Sequence, residues 1–294
     1  MQDKSARWLL VAAALLFSTG GAAIKWTELA GWQVAGGRSA VAVVALLLFL
    51  REARSLPNAA QWLVGAAQAG ALVLFALANK LTTSANSIFL QSTAPIWIVL
   101  VAPFVLGERA RWRDLAFLCV MAGGLSVVFL GDEPAQATAP DPRTGNLLAV
   151  LSGVAWAGAV VGLRKLAKGG EGQGAGARNP AIGALVAGNT LAAALGLAMA
   201  DAPEAVSLPD LAVVLYLGVF QIGLAYLCVV RGLARVGALE ASLLLLLEPV
   251  LNPVFAFLVH GERLSNATWI GGGVLLAAMV GKAVVDGRRP PRSD

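Results

Sequence analysis

What most narrows the folds open to this chain is the recurrence of long apolar runs that carry almost no charge. Ten of them follow one another: roughly Trp8 to Ile24, Trp32 to Leu50, Gln61 to Leu77, Asn86 to Leu106, Trp112 to Leu130, Asn146 to Leu163, Ala181 to Ala200, Leu211 to Val230, Ala238 to Val259 and Trp269 to Val285. A helix needs about 20 apolar residues to cross the hydrocarbon core, and a spanning segment must satisfy its own backbone hydrogen bonds. With 58% hydrophobic and 13% charged residues over 294 positions, a soluble domain is excluded. The expected fold class is an all-α polytopic membrane protein with ten transmembrane helices. The first run is read as a retained helix, because no small-residue cleavage site leads into a soluble domain.

The net charge of +5 does not point to nucleic acid, since the basic residues lie in short loops between runs. Lys4, Arg7, Arg51, Arg54, Arg109, Arg111, Arg113, Arg164, Lys165, Lys168, Arg178, Arg231, Arg235, Lys282, Arg288, Arg289 and Arg292 all fall on one side. The other side holds Lys25, Lys80, Arg143 and Arg263, and Arg38 lies inside the second run. The positive-inside rule makes the crowded side cytoplasmic and places both termini there. Cys119 and Cys228 sit in apolar runs without metal-ligand spacing, so no disulfide framework, metal site or cofactor is expected.

The two halves repeat. Pro95, Ala102, Gly107, Glu108 and Arg109 recur in the same spacing as Pro249, Ala256, Gly261, Glu262 and Arg263, and Gly65, Gln68 and Gly70 recur as Gly218, Gln221 and Gly223. Five crossings per half is an odd number, so the second half runs inverted relative to the first. The expected units are residues 1–131, an acidic Pro-rich linker at 132–144 on the outer side, and residues 145–294 with a short basic tail; a glycine-rich loop spans Ala167 to Arg178. Inverted repeats are a common basis for alternating access around a midplane site.

Two five-helix repeats, a proline near the middle of each fourth helix, the Gly-Glu-Arg that follows it, Arg38 after Gly36-Gly37, and glycine-rich fifth and tenth helices resemble the EamA-type exporters of the drug/metabolite transporter superfamily. The resemblance covers essentially the whole chain, and within that superfamily it is similar to the YddG-type aromatic amino-acid exporters. It implies a secondary transporter of the bacterial inner (plasma) membrane that exports small metabolites, aromatic amino acids first among them. Nucleobases, cofactors and drug-like compounds are the alternative cargo. The second half departs at the position matching Arg38, which is Asn189.

Within the ninth run, Glu248, Asn252, Pro249 and Pro253 interrupt an oily segment. A carboxylate at that depth costs about 2.5 to 3.5 kcal/mol on insertion scales, so Glu248 is expected to face protein or water. It is a candidate to take a substrate ammonium, to carry a coupling proton, or to pair with Arg38 or a helix-end base. Helical spacing puts Ala241, Leu245, Glu248 and Asn252 on one face, with Ser87, Gln91, Ala94 and Ile98 on its counterpart in the first half. These polar groups either line a cavity or repair backbone freed by Pro95, Pro249 and Pro253. Lys80 is a candidate for a substrate carboxylate, Lys25 is expected to snorkel to the interface, and Arg38 is expected in structural or gating pairing. Gln221 and Tyr226 are further candidate contacts, although inter-helix hydrogen bonding also accounts for Gln68 and Gln221. Trp97 and Trp156 lie deep enough to line a site for a planar side chain; Trp8, Trp26, Trp32, Trp112 and Trp269 read as the interfacial belt.

Direct ATP drive is not expected without a phosphate-binding loop, and intramembrane enzyme chemistry is not expected from His260 alone. The expected partners are a small-molecule substrate, the lipid bilayer and, as a candidate coupling ion, the proton, with the chain acting as a monomer. A non-transporting scaffold or receptor is the competing class.

Overall fold

The computed structural model describes residues 4–106, 112–131, 134–169, 180–201, 206–233, 236 and 238–287. The first Gly107-Glu108-Arg109 motif, most of the glycine-rich stretch and the basic tail lie outside the described residues. The described residues form α1 (Lys4–Ser18), α2 (Gly20–Trp26), α3 (Gly31–Phe49), α4 (Ala59–Leu81), α5 (Ser84–Gln91), α6 (Ala94–Leu106) and α7 (Trp112–Leu130) in the first half. The second half contains α8 (Pro142–Gly169), α9 (Pro180–Met199), α10 (Leu208–Tyr216), a π-helical stretch (Leu217–Leu224), α11 (Ala225–Leu233), α12 (Ala238–Leu245), α13 (Leu247–His260) and α14 (Asn266–Gly287). Nine spans among the described residues are long and apolar enough to cross a membrane, and Asp114–Leu130 is a shorter apolar tenth. The chain is therefore an all-helical, multi-pass membrane protein.

Several crossings are built from two helices in line, and in the fourth and ninth crossings the break falls at matching places. α5 and α12 each end four residues before a proline, Pro95 or Pro249. Proline has no N–H to give the carbonyl four residues back, and its ring clashes with that carbonyl, which breaks the ladder there. The proline then sits comfortably in the first turn of the following helix. Gln91 O, freed by Pro95, lies where the backbone of α8 comes closest: a Cβ on Gly153 would stand 2.8 Å from it. Pro103 and Pro253 lie within α6 and α13 without ending them.

The first crossing differs from the single helix expected over Trp8 to Ile24: it breaks at Thr19. There is no proline here. The hydroxyls of Ser18 and Thr19 donate back to Leu15 O (2.8 Å) and Leu16 O (2.7 Å), a competition with the backbone ladder that bends helices, and two glycines follow.

Small residues allow the remaining helices to meet backbone to backbone, the usual means of association where lipid removes the hydrophobic drive. α4 packs along α8 and α9, α3 along α9 and the π stretch, and α7 along α14. A Cβ on Gly196 would lie 2.6 Å from Gly36 Cα, and one on Gly65 would lie 2.7 Å from Gly188 N. Trp8, Trp26 and Trp269 are 60 to 70% exposed at helix ends, as an interfacial belt requires, Cys119 is exposed and Cys228 is buried. Gly196→Val should push α3 from α9 and lower stability by about 1–3 kcal/mol, read as an earlier thermal unfolding transition in detergent. Gly273→Ala meets nothing within 4 Å and should leave that transition unchanged or raise it slightly.

Candidate functional site

The halves converge on Gly20 and Gly21, the first residues of α2. A Cβ on Gly20 would stand 2.8 Å from Gln221 Nε2, and one on Gly21 would stand 2.8 Å from both Asn252 Oδ1 and Ser84 Oγ. The π stretch, α13 and the first turn of α5 thus each bring a polar side chain to one bare piece of backbone. Just before it, Thr19 Oγ1 and Tyr216 Oη share a 2.8 Å hydrogen bond, and the Tyr216 ring stacks on Phe220.

These converging groups are buried and short of partners. Asn252, Ser84 and Ser87 are fully buried and Gln221 nearly so. Asn252 Oδ1 and Nδ2, Ser84 Oγ, Ser87 Oγ, Gln221 Oε1 and Trp97 Nε1 find no hydrogen-bond partner among the described residues. Each such group costs about 1–3 kcal/mol, so a cluster of them needs a reason beyond stability. Wide π turns are frequent at functional sites, and here one carries Gln221. Glu248 lies one turn before Asn252, in the first turn of α13 where the helix dipole favours a negative charge. It is half-buried and has no hydrogen bond or ion pair among the described residues.

The other sequence candidates are distributed around this cluster. Gln91 donates to Ser152 Oγ (2.7 Å), which donates on to Ala71 O (2.9 Å), so it ties α5 to α8 and α4. Arg38 is buried, donates to Leu72 O (2.7 Å) and makes no ion pair with Glu248. Tyr226 lies within electrostatic reach of both Arg38 and Glu248, but its ring meets Phe17 edge-on at 5.2 Å and lines an apolar crevice with Leu46, Ile182 and Leu185. Trp97 packs half-buried against the main core cluster, and Trp156 is half-buried on α8. Lys80 donates to Thr27 O (2.6 Å), strapping α4 to the turn after α2.

Lys25 requires a correction. It does not snorkel: its side chain is 3% exposed and its Nζ stands 3.0 Å from Glu262 Oε1, an ion-pair contact too oblique for a hydrogen bond. Its protons go to Thr82 O (2.7 Å) and Thr138 O, while Glu262 Oε2 accepts from Ser84 N (2.8 Å). His260 Nε2 lies 2.8 Å from Ala22 O beside this pair. Asp210 accepts from Thr27 Oγ1 (2.6 Å) and Glu28 N (2.9 Å), closing the same end of the helices. A buried ion pair is sustained only when its remaining donors and acceptors are satisfied, and these backbone partners do that.

Sequence reasoning missed Ser84, Tyr216, Asp210 and the Lys25–Glu262 pair as site elements. The signal for Ser84 was the dense polar run Thr82-Thr83-Ser84-Ala85-Asn86-Ser87. Removing an amide that satisfies nothing should not harm the fold: Asn252→Leu should keep or raise the unfolding temperature in detergent. Gln91→Leu, which breaks a made hydrogen bond, should lower stability by about 1 kcal/mol.

Comparison with known proteins agrees with this architecture. A family model described as the EamA-like transporter family matches residues 4–130 and again 143–281. No curated protein matches the sequence. One solved crystal structure is similar over 97% of this chain and 98% of its own, with 22% identity and a TM-score of 0.62, which speaks for the fold alone. The chain thus belongs to the EamA-like transporter family, whose members are polytopic membrane transporters of small molecules.

Proposed function

We propose that the chain is a secondary transporter that exports small metabolites, with amino acids bearing aromatic side chains as the leading class, across the bacterial inner membrane. The observation that carries this reading is the cluster around Gly20-Gly21, where Asn252, Ser84 and Gln221 keep buried hydrogen-bonding capacity unused among the described residues. Buried groups with unmet donors and acceptors are what a polar solute needs when water is stripped from it. The helices that bear them are interrupted within their spans, the arrangement by which transporters expose backbone and side chains to a solute. In this reading the halves rock about the cluster and expose it alternately to either side. Trp97 and Trp156 would accept a planar side chain, with Ser87 supplying a further hydroxyl. Pro95 and Pro249 keep the two breaks in register, and Pro253 follows one turn further along α13.

Glu248 has the environment of a functional carboxylate rather than a structural one, because no ion pair among the described residues holds it. Its two roles are a partner for a substrate ammonium and a proton carrier. A neutral amide in its place preserves shape and removes both roles.

Purified protein in liposomes should move labelled aromatic amino acids above empty vesicles, faster when a proton gradient is imposed. Flux restricted to nucleobases, cofactors or drug-like solutes would replace the amino-acid reading, and no flux across a broad metabolite panel would sink the transporter reading. Asn252→Leu should lower flux by at least about tenfold, the loss of one or two directed hydrogen bonds to the solute. Glu248→Gln should lower flux and flatten its dependence on pH; wild-type rates and pH profile would remove the carboxylate from both roles.

A further inference from the structure

The outer end of the first crossing is a separate lever. α2 is set off from α1 at Thr19, and its far end carries Lys25. That one ammonium meets Glu262 just beyond α13, the Thr82 carbonyl at the end of α4 and the Thr138 carbonyl of the segment between the halves. Glu262 in turn holds the first amide of α5, and the His260 ring lies against the α2 carbonyl of Ala22. The bonds join both halves and the segment linking them, all at the end opposite the basic loops. Neither charged side chain is more than 3% exposed.

We infer that the Lys25–Glu262 pair is the latch of the outer gate: α2 swings about Thr19 only when this ion pair separates, and the cluster around Gly20-Gly21 then opens to the outside. The inference rests on the alternating-access reading above, in which solute leaves between the outer ends of these helices. Three features carry it. The pair joins elements that must part for any outward path. It is desolvated while closed and gains water when open, so it favours two discrete states over a continuum. Its hinge lies directly beside the polar cluster, so that Gly21, which covers Asn252 and Ser84, moves with the lever.

The test reads access rather than transport. Ser87→Cys, placed on α5 one turn inward from Ser84 in a Cys119→Ser, Cys228→Ser background, is labelled from outside with a membrane-impermeant maleimide in right-side-out vesicles. With the native pair, labelling should be slow. Glu262→Gln, which keeps an oxygen for Ser84 N, and Lys25→Met should each raise the rate by at least about tenfold, since either leaves a lone buried charge. Because both act through one bond, the double variant should be no faster than the faster single variant. If a single variant fails to reach the membrane, the double variant, which buries no lone charge, gives the same readout. A wild-type rate in the double variant, or a double effect equal to the product of the single effects, would overturn the latch. Raised labelling in these variants together with no flux of any solute by the protein with Ser87 intact would keep the latch and sink the transporter reading, so the two failures are distinguishable.

Discussion

Inside a bilayer the backbone has no water to bond to, and that constraint shapes every unusual feature of this protein. A proline in a spanning helix frees a carbonyl that must then be accommodated by a neighbour. Gln91 O meets that demand at the close approach of Gly153, and the Gln91 side chain is fixed by Ser152 on the same helix. α8 therefore serves as the backing for the first break, with glycine where the carbonyl needs room and serine where the amide needs a partner. The other glycines that bring helices together follow the same logic of replacing solvent with close contact.

Polar side chains in the membrane interior divide into two populations. One is engaged, with Arg38 Nε alone of its named atoms left without a partner among the described residues. Thr82 and Asn86 both donate to Asn146, Thr268 donates to Asn86, Arg38 reaches Leu72 O, and Gln91 reaches Ser152, so that α3, α4, α5, α8 and α14 are cross-linked. The other keeps capacity in reserve: Ser84, Gln221 and Asn252 gather where α2, α5, α13 and the π stretch meet, while Ser39 Oγ, Gln68 Nε2, Asn79 Oδ1 and Asn189 Oδ1 lie along α3, α4 and α9. Satisfied networks rigidify, and unsatisfied ones are tolerated where something else has to bind. The reserve around Gly20-Gly21 is the one proposed as the working site, and the engaged group forms the frame around it. Residues that look alike in sequence fall on different sides: Gln91 and Asn252 are both amides flanking a helix break, yet one is bonded to a neighbouring helix and the other keeps its capacity in reserve.

Glu248 illustrates the same point. Its charge stands out in an oily helix, and the repeat matches Pro249 with Pro95 whereas the carboxylate corresponds to Ala94. The proposal of a functional role for it rests on what surrounds it, because Arg38, the partner that the sequence offered, donates to a backbone carbonyl instead. Lys25 ran the other way. A lysine at a helix end usually reaches for the interface, but here Glu262 and two carbonyls offered a complete alternative to water.

The sequence by itself determined the all-helical, multi-pass class and the repetition of its two halves, because bilayer thickness and the backbone's need for internal hydrogen bonds leave helices as the solution for apolar runs of this length. It also determined two of the breaks, since proline removes a donor wherever it stands. The break at Thr19 was not legible: hydroxyls and glycines occur in unbroken membrane helices as well, and only their packing decides the outcome. Partner choice among buried polar groups belonged to the tertiary structure alone. Lys25 and Glu262 are far apart along the chain, and which of several outer-end charges each one meets depends on how the halves dock. Whether an amide ends up bonded or in reserve depends on a few tenths of an ångström between helices, a distance that glycine and serine on a neighbouring element fix and that no residue encodes about itself.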